Sequence, residues 1–140
     1  MKYFLTAFLA FLSLQVLACP NMDGFYECRA GSRVSLKEVV STASGFLIIS
    51  DGAEREYFID DQFREIPSTN SYKDAFYKSR CTNDSFIVDF KATLLYEGAE
   101  IAKQVQTSTY TMSGEDLVIV QKTKAKGVPL PTVKYLCKKN

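Results

Sequence analysis

The sequence contains no histidine and no tryptophan among its 140 residues. The lack of imidazole excludes Ser-His-Asp and Cys-His catalysis and any zinc or copper site with a histidine ligand. No C-x-x-C pair and no glycine-rich phosphate-binding loop is present either. An enzyme would have to use carboxylates, Tyr or Lys alone, and none of these is a base near neutral pH at its ordinary pKa. We therefore predict a protein that is not an enzyme and that has no catalytic residues, metal or cofactor.

Long apolar runs are scarce, and the longest lies at the N-terminus. Residues 1–18 combine a lysine near the start, a mostly apolar run from Tyr3 to Leu12 and a small residue at Ala18. This is the pattern of a cleaved secretory signal peptide. The run is shorter than the roughly 20 residues of a membrane span, so we expect no transmembrane span in the mature form. Cleavage leaves 140 − 18 = 122 residues, 19–140, which suits a single domain.

The mature chain has no excess of either charge. The signal peptide carries one of the 17 basic residues and none of the 16 acidic ones, so the mature side chains sum to 16 − 16 = 0. This balance gives no electrostatic basis for binding nucleic acid. We predict a secreted or periplasmic protein. The run Val16-Leu17-Ala18-Cys19 also resembles a bacterial lipoprotein signal, and anchoring through a lipidated Cys19 remains the alternative.

Four cysteines, at positions 19, 28, 81 and 137, indicate two disulfides in an oxidising compartment. Lipidation of Cys19 would leave an odd number of thiols. We favour a Cys19–Cys28 bridge because the two are close in the sequence, and a Cys81–Cys137 bridge as its complement. Four cysteines allow three connectivities, so the pairing is a preference.

Short strand patterns separated by turn signals fill residues 19–140. The clearest lies in 85–96, where apolar residues alternate with polar ones, as in a half-buried strand. Asp51-Gly52 is a strong hairpin signal. Eight to ten such strands and no amphipathic helix predict an all-β fold, an antiparallel up-and-down β-barrel, with a β-sandwich as the alternative. We prefer the barrel because consecutive hairpins can connect it and closure removes exposed edges.

Size, export, strand number and a first strand beginning Gly24-Phe25-Tyr26 resemble the calycin-like small barrels: lipocalins, avidins and fatty-acid-binding proteins. Lipocalins have Gly-x-Trp at that position, and this chain has no Trp. The resemblance is one of organisation only. Residues 18–28, of the form A-C-P-N-x-x-G-x-Y-x-C, together with Cys137, more closely resemble uncharacterised small secreted proteins of predatory bacteria. That resemblance implies no known activity.

Two groups of residues are candidates for a binding site. Strand positions Phe86, Val88, Phe90 and Leu94 share one face and could line a ligand cavity or fill the core. Lys122, Lys124 and Lys126 occupy alternate positions and could form a basic surface for an anionic partner, or act as charges that protect a strand edge. Asp60-Asp61 lies in an acidic segment that could bind Ca²⁺, although we favour a solvated loop and predict no metal.

We therefore expect an exported binding protein, a small β-barrel that either carries a small apolar ligand or presents loops to a partner. The candidate loops are 60–72 and 122–131. The alternative is an envelope-associated module, either lipidated at Cys19 or not, that interacts with another protein or inhibits it. Its partner would be a surface or envelope macromolecule, and the sequence does not identify it.

Overall fold

The structure, a computed structural model, describes residues 19–140, and the predicted signal peptide, 1–18, lies outside the described residues. All eleven strands of the described chain belong to one sheet, and residues 19–140 contain no helix. None of their segments is therefore a helix long and apolar enough to cross a membrane. The strands are β1 Gly24–Ala30, β2 Arg33–Ser41, β3 Gly45–Ser50, β4 Ala53–Phe58, β5 Arg64–Ile66, β6 Tyr72–Cys81, β7 Ser85–Tyr96, β8 Ala99–Ser113, β9 Asp116–Ala125, β10 Val128–Pro129 and β11 Val133–Lys139.

The sheet is antiparallel and runs in the order β4-β3-β2-β1-β11-β9-β8-β7-β6-β5, with β10 paired to β9. Two up-and-down runs, β1 to β4 and β5 to β9, are joined through the last strand, β11. The predicted all-β, up-and-down fold is confirmed. This curled sheet is consistent with a calycin-like organisation.

Two-residue turns set the register of the hairpins. Ser50 pairs with Ala53, so Asp51 and Gly52 alone connect β3 to β4. Both have positive φ, 48° and 85°, as a type I′ turn requires. This confirms the hairpin predicted at this position. Segment 60–70 was expected to be a loop, but it contains the edge strand β5, which ends immediately before Pro67.

The sheet curls until β4 approaches β6, and it forms a half-barrel rather than the fully closed barrel that we expected. One isolated parallel bridge, Ile59 to Ser79, joins the two sides. Inward side chains of β6 complete the junction. The Tyr77 hydroxyl donates to the Glu56 carbonyl at 2.9 Å, and the Ser79 hydroxyl donates to the Phe58 carbonyl at 2.7 Å. Hydrogen bonds from these side chains therefore join β4 to β6, which a continuous backbone ladder does not do.

All four cysteines form disulfides, but the favoured pairing was wrong: the bridges are Cys19–Cys81 and Cys28–Cys137. Cys28 is the fifth residue of β1, and an extended strand carries it about 13 Å from the strand's start. There it lies directly opposite Cys137 on β11. Closing loops of 62 and 109 residues stabilises the chain by about 4 and about 5 kcal/mol in the chain-entropy account. The two bridges indicate an oxidising environment, extracellular or periplasmic.

An aromatic cluster fills the centre of the half-barrel. Phe86 is fully buried, and its ring lies 4.9 Å from Phe46, 5.3 Å from Tyr110 and 5.9 Å from Tyr57, between centroids. We call these four residues the aromatic plug. Pairs of this kind add to the free energy of simple area burial. The plug occupies the space that a ligand would need in a hollow barrel.

Candidate functional site

The inward faces of five strands change from apolar to polar in the same direction along the half-barrel. On each strand a buried or partly buried apolar residue has a polar residue two positions away on the same face. These pairs, apolar residue first, are Val39 and Lys37 on β2, Ile48 and Ser50 on β3, Tyr57 and Arg55 on β4, Tyr110 and Ser108 on β8, and Ile119 and Gln121 on β9. The interior therefore has a packed apolar level and a polar level beyond it.

The polar level borders a partly open cavity of about 350 Å³, which we call the polar cavity. Its volume is at the small end of the range for ligand pockets. Phe90 contributes an aromatic ring to the lining. The full lining is Lys37, Ile48, Ser50, Ala53, Glu54, Arg55, Tyr57, Phe90, Gln106, Ser108, Tyr110 and Gln121.

Hydrogen bonds orient the amide of Gln106 on the β8 wall of the cavity. Its Nε2 donates to the Ser108 hydroxyl at 3.3 Å, and its Oε1 accepts from the Thr123 hydroxyl at 3.2 Å. Both neighbours lie on the inner face, Ser108 on β8 itself and Thr123 on β9. The network holds polar groups in place before any ligand arrives, which lowers the entropy cost of binding.

Two cations, Lys37 and Arg55, line the opposite wall of the polar cavity. Among residues 19–140, no carboxylate lies within 4.0 Å of either charged group. The Lys37 ammonium instead donates to the Ser50 hydroxyl at 2.8 Å. Burial lowers the pKa of Lys37, and the charge of Asp51 offsets part of this effect. The ammonium therefore gives up hydration without the compensation of an ion pair.

The sheet register places the two cations on either side of β3. Lys37 is opposite Ser50, and Arg55 is opposite Ile48. Two strand spacings and an offset of two residues separate their Cα atoms by about 12 Å. Because the Lys37 ammonium bonds to Ser50, it already lies over β3, in the direction of β4 and Arg55. Both long side chains can then reach a single group bound above β3.

Two tyrosines mark the boundary between the plug and the polar cavity. Burial raises the pKa of Tyr57 and of Tyr110, so both hydroxyls stay protonated at neutral pH. Their rings belong to the plug, and both residues line the cavity. Their hydroxyls are therefore hydrogen-bond donors available at the base of the cavity.

A wider groove of about 890 Å³ lies at the other end of the half-barrel, beside the Cys19–Cys81 disulfide. Its charged side chains already have partners within the chain. Asp60 bonds to Arg64, and Asp61 lies 4.0 Å from Arg80. Within residues 19–140, no three His, Cys, Asp or Glu side chains converge to hold a metal ion. The groove therefore lacks the cations without ion-pair partners that line the polar cavity.

The segment 60–72, predicted as a presenting loop, is tied to the sheet. Its residues 64–66 form β5. The Arg64 guanidinium lies 4.2 Å from the centre of the Phe58 ring, and the Lys91 ammonium lies 4.0 Å from the centre of the Phe63 ring. Such cation–π contacts hold the segment down, so many of its side chains are engaged within the chain itself.

The four residues predicted to line a cavity are distributed over three environments. Phe86 lies in the plug, and Val88 is buried beside it in the core. Phe90 lines the polar cavity, and its ring meets that of Tyr72 at 6.0 Å. Leu94 is half-buried near a register shift at the end of β7 and is not among the residues that line the polar cavity.

The predicted basic surface is divided between a strand and a turn. Lys122 and Lys124 are exposed on the outer face of β9, opposite Thr107 and Val105. Lys126 follows in the turn to β10, with φ of 52°. The three lysines therefore do not share one strand face, and the ridge that the sequence suggested is shortened to two residues.

Sequence reasoning missed Lys37 and Arg55, because charged residues in a strand are normally assigned to the solvent face. In β2 the apolar residues Val34 and Leu36 predict that the even positions face the core, but these two side chains are exposed, 51% and 56%, and Lys37 and Val39 face inward. The only available signal was that Lys37 and Val39, two residues apart, share one face of the strand. The sequence of a single strand does not show which of its faces turns inward.

Comparison with known proteins adds no assignment. No protein-family model matches the sequence, and no curated protein matches it significantly.

Proposed function

We propose that the protein is an exported binding protein that takes a small polar ligand into the polar cavity. The observation that carries this proposal is that polar side chains from five strands, β2, β3, β4, β8 and β9, line one partly open cavity beside the packed plug. Sequences that specify a fold keep polar groups out of the core, and they depart from this rule at functional sites. The ligand chemistry differs from the apolar ligand that the sequence suggested, because the plug fills the apolar part of the interior.

Binding rather than catalysis is the proposed activity. The chain has no histidine, and the acidic residue that lines the cavity, Glu54, is exposed. The cavity residues are instead suited to holding a ligand by hydrogen bonds and charge.

We also propose a secreted or periplasmic location without a lipid anchor at Cys19. The Cys19 sulfur is bonded to Cys81, and one sulfur cannot carry both a disulfide and a thioether-linked lipid. The bridge supports the unanchored alternative over the lipoprotein. The resemblance of residues 18–28 to small secreted proteins of predatory bacteria is in keeping with this location.

Native mass spectrometry of the mature protein, purified from the exported fraction of its own host, tests the proposal. We expect a chain mass four hydrogens below that of the reduced chain, which reports two disulfides, and a small polar molecule bound to part of the population. A lipid adduct on Cys19 would contradict the proposed location. An oxidised chain without any bound molecule would favour the surface-binding alternative.

A matched pair of variants on β8 locates the adduct. Ser108 points into the cavity, whereas its neighbour Thr109 points outward. Ser108→Met should fill the cavity and abolish the adduct, and Thr109→Met should retain it, with both variants folded by circular dichroism. Equal retention in the two variants would place the ligand elsewhere and contradict the proposal.

A further inference from the structure

We propose that the polar cavity is an anion site in which Lys37 and Arg55 together hold the carboxylate or phosphate group of a small organic acid. This inference rests on the proposed function and specifies the class of its ligand. The observation that requires explanation is that two cations line the same cavity and that neither has an ion-pair partner within 4.0 Å among residues 19–140.

The other cations of the described chain show how unusual this pair is. Seven ion pairs engage the basic residues Arg29, Arg64, Lys73, Lys78, Arg80 and Lys138 with carboxylates. Lys122 and Lys124 are exposed to solvent on the outer face, where hydration satisfies the charge. Lys37 and Arg55 are the cations that line the polar cavity, and both are only partly exposed.

Burial without a counter-ion makes the site receptive to an anion. A cation that has lost hydration interacts more strongly with an opposite charge, because the surrounding dielectric constant is lower than that of bulk water. Arg55 can offer two parallel N–H donors to a carboxylate or phosphate, and Lys37 adds a point charge. An anion above β3 would supply the missing partner to both.

The rest of the cavity is compatible with the same ligand. The hydroxyls of Tyr57 and Tyr110 and the side chain of Ser108 can donate hydrogen bonds to anion oxygens. Phe90 offers an apolar surface for the organic part of the acid. The rim residue Glu54 is the one carboxylate in the lining. Two cations and one carboxylate leave a net charge of +1, which favours a small monoanion over a polyanion.

The test compares benzoate with benzamide, which share shape and differ in charge. Amide resonances of the ¹⁵N-labelled, oxidised mature chain are followed as each compound is added. We expect benzoate to shift signals of residues lining the cavity and to bind at least about tenfold more tightly than benzamide, the ratio that a charge-assisted contact of modest strength supplies. Inorganic phosphate, as a second probe, should shift the same signals.

Variants of the two cations separate this site from general attraction to a basic protein. Lys37→Met and Arg55→Met should each weaken benzoate binding about tenfold and leave benzamide binding unchanged. The matched control, the double variant Lys122→Met with Lys124→Met, removes two charges from the outer face and should have no effect. Glu54→Gln should strengthen benzoate binding roughly twofold, because it removes a like charge. Urea unfolding of each variant checks that the fold is retained.

The outcomes distinguish failure of the anion site from failure of the proposed binding function. If benzamide binds in the cavity as tightly as benzoate, and Lys37→Met changes neither, the anion inference fails while the binding function stands. If the Lys122/Lys124 variant loses as much affinity as Lys37→Met, the attraction is non-specific and the anion site is contradicted. If benzoate, benzamide and phosphate leave the cavity signals unchanged at tens of millimolar, both the inference and the proposed cavity function fail.

Discussion

The aromatic plug and the polar cavity are neighbouring parts of the same curled sheet, and on β8 and β9 only two residues separate a buried side chain from one that lines the cavity. On β9 these are Ile119 in the buried core and Gln121 at the cavity, and on β8 they are Tyr110 in the plug and Ser108 at the cavity. The backbone ladder continues unbroken through both levels. The sheet therefore does not distinguish the two regions, and side-chain chemistry alone separates the packed core from the polar cavity.

The comparison shows how a small half-barrel can tolerate an unpacked interior. The plug, the remaining buried core residues and the two disulfides supply the stability. The residues of the polar level are then not required for folding stability, so they could serve the proposed binding function. If this division is correct, identical substitutions at the two levels should have very different effects on folding.

The largest contrast is expected between Phe86→Ala and Phe90→Ala. These are the same residue type, on the same strand and face, four positions apart. Phe86 is fully buried in the plug, so its loss should cost about 4 kcal/mol in unfolding free energy. Phe90 is half-buried at the cavity, and its loss should cost about 1 kcal/mol. Urea unfolding measures both, and equal costs would mean that the cavity level is as tightly packed as the plug.

A second contrast exchanges the chemistry of the two levels on β9. Ile119→Gln places an amide among buried apolar side chains and should cost about 3 kcal/mol. Gln121→Ile removes polar character from the cavity wall and should change the unfolding free energy by less than about 1 kcal/mol, while it weakens ligand binding. Unfolding curves of the two variants would refute the division if Gln121→Ile proved the more destabilising.

The smallest effect concerns the outer face behind the cavity wall. Asp89 on β7 accepts hydrogen bonds from Arg80 at 2.6 Å and from Thr107 at 2.8 Å, and so joins β6, β7 and β8. Burial alone would raise the pKa of Asp89, but these two hydrogen bonds and the Arg80 charge hold it below its ordinary value of 3.8. A lowered pKa in the folded state contributes stability that is present above pH 3.8 and is lost as the pH falls through the lower, folded-state pKa.

Asp89→Asn should therefore destabilise the protein by about 1 kcal/mol at pH 7. Wild type and variant should converge in acid well below pH 3.8. Unfolding free energies measured at both pH values give the answer. A difference that persisted in acid would show that the Asp89 hydrogen bonds contribute without its charge.

Local chemistry made much of the fold predictable. The Asp51-Gly52 turn and the apolar alternation of β7 follow from backbone geometry and side-chain period, and both appear as expected. The disulfide pairing was not predicted correctly, because proximity in the sequence says little about distance in space once Cys28 lies within an extended strand. The pairing of β1 with β11 is a long-range property, and it brings Cys28 to Cys137.

The candidate site was largely beyond the sequence for a related reason. A strand has two faces, and which one turns inward depends on its partners. Val34 and Leu36 suggested the opposite face of β2 from the one that faces the interior. Lys37 and Arg55 come together only through β3, which lies between their strands. No short stretch of the sequence predicts that Lys37 and Arg55 line the same cavity.

The most direct test of the division within the half-barrel is a measurement of nuclear Overhauser effects between water and the protein in the mature chain. We predict cross-peaks from water to the side-chain amides of Gln106 and Gln121, because a polar space of about 350 Å³ has room and hydrogen-bonding partners for water. We predict none to the ring protons of Phe46 and Phe86, which pack against each other in the plug. Water contacts at the plug rings, or none at the two amides, would contradict the account.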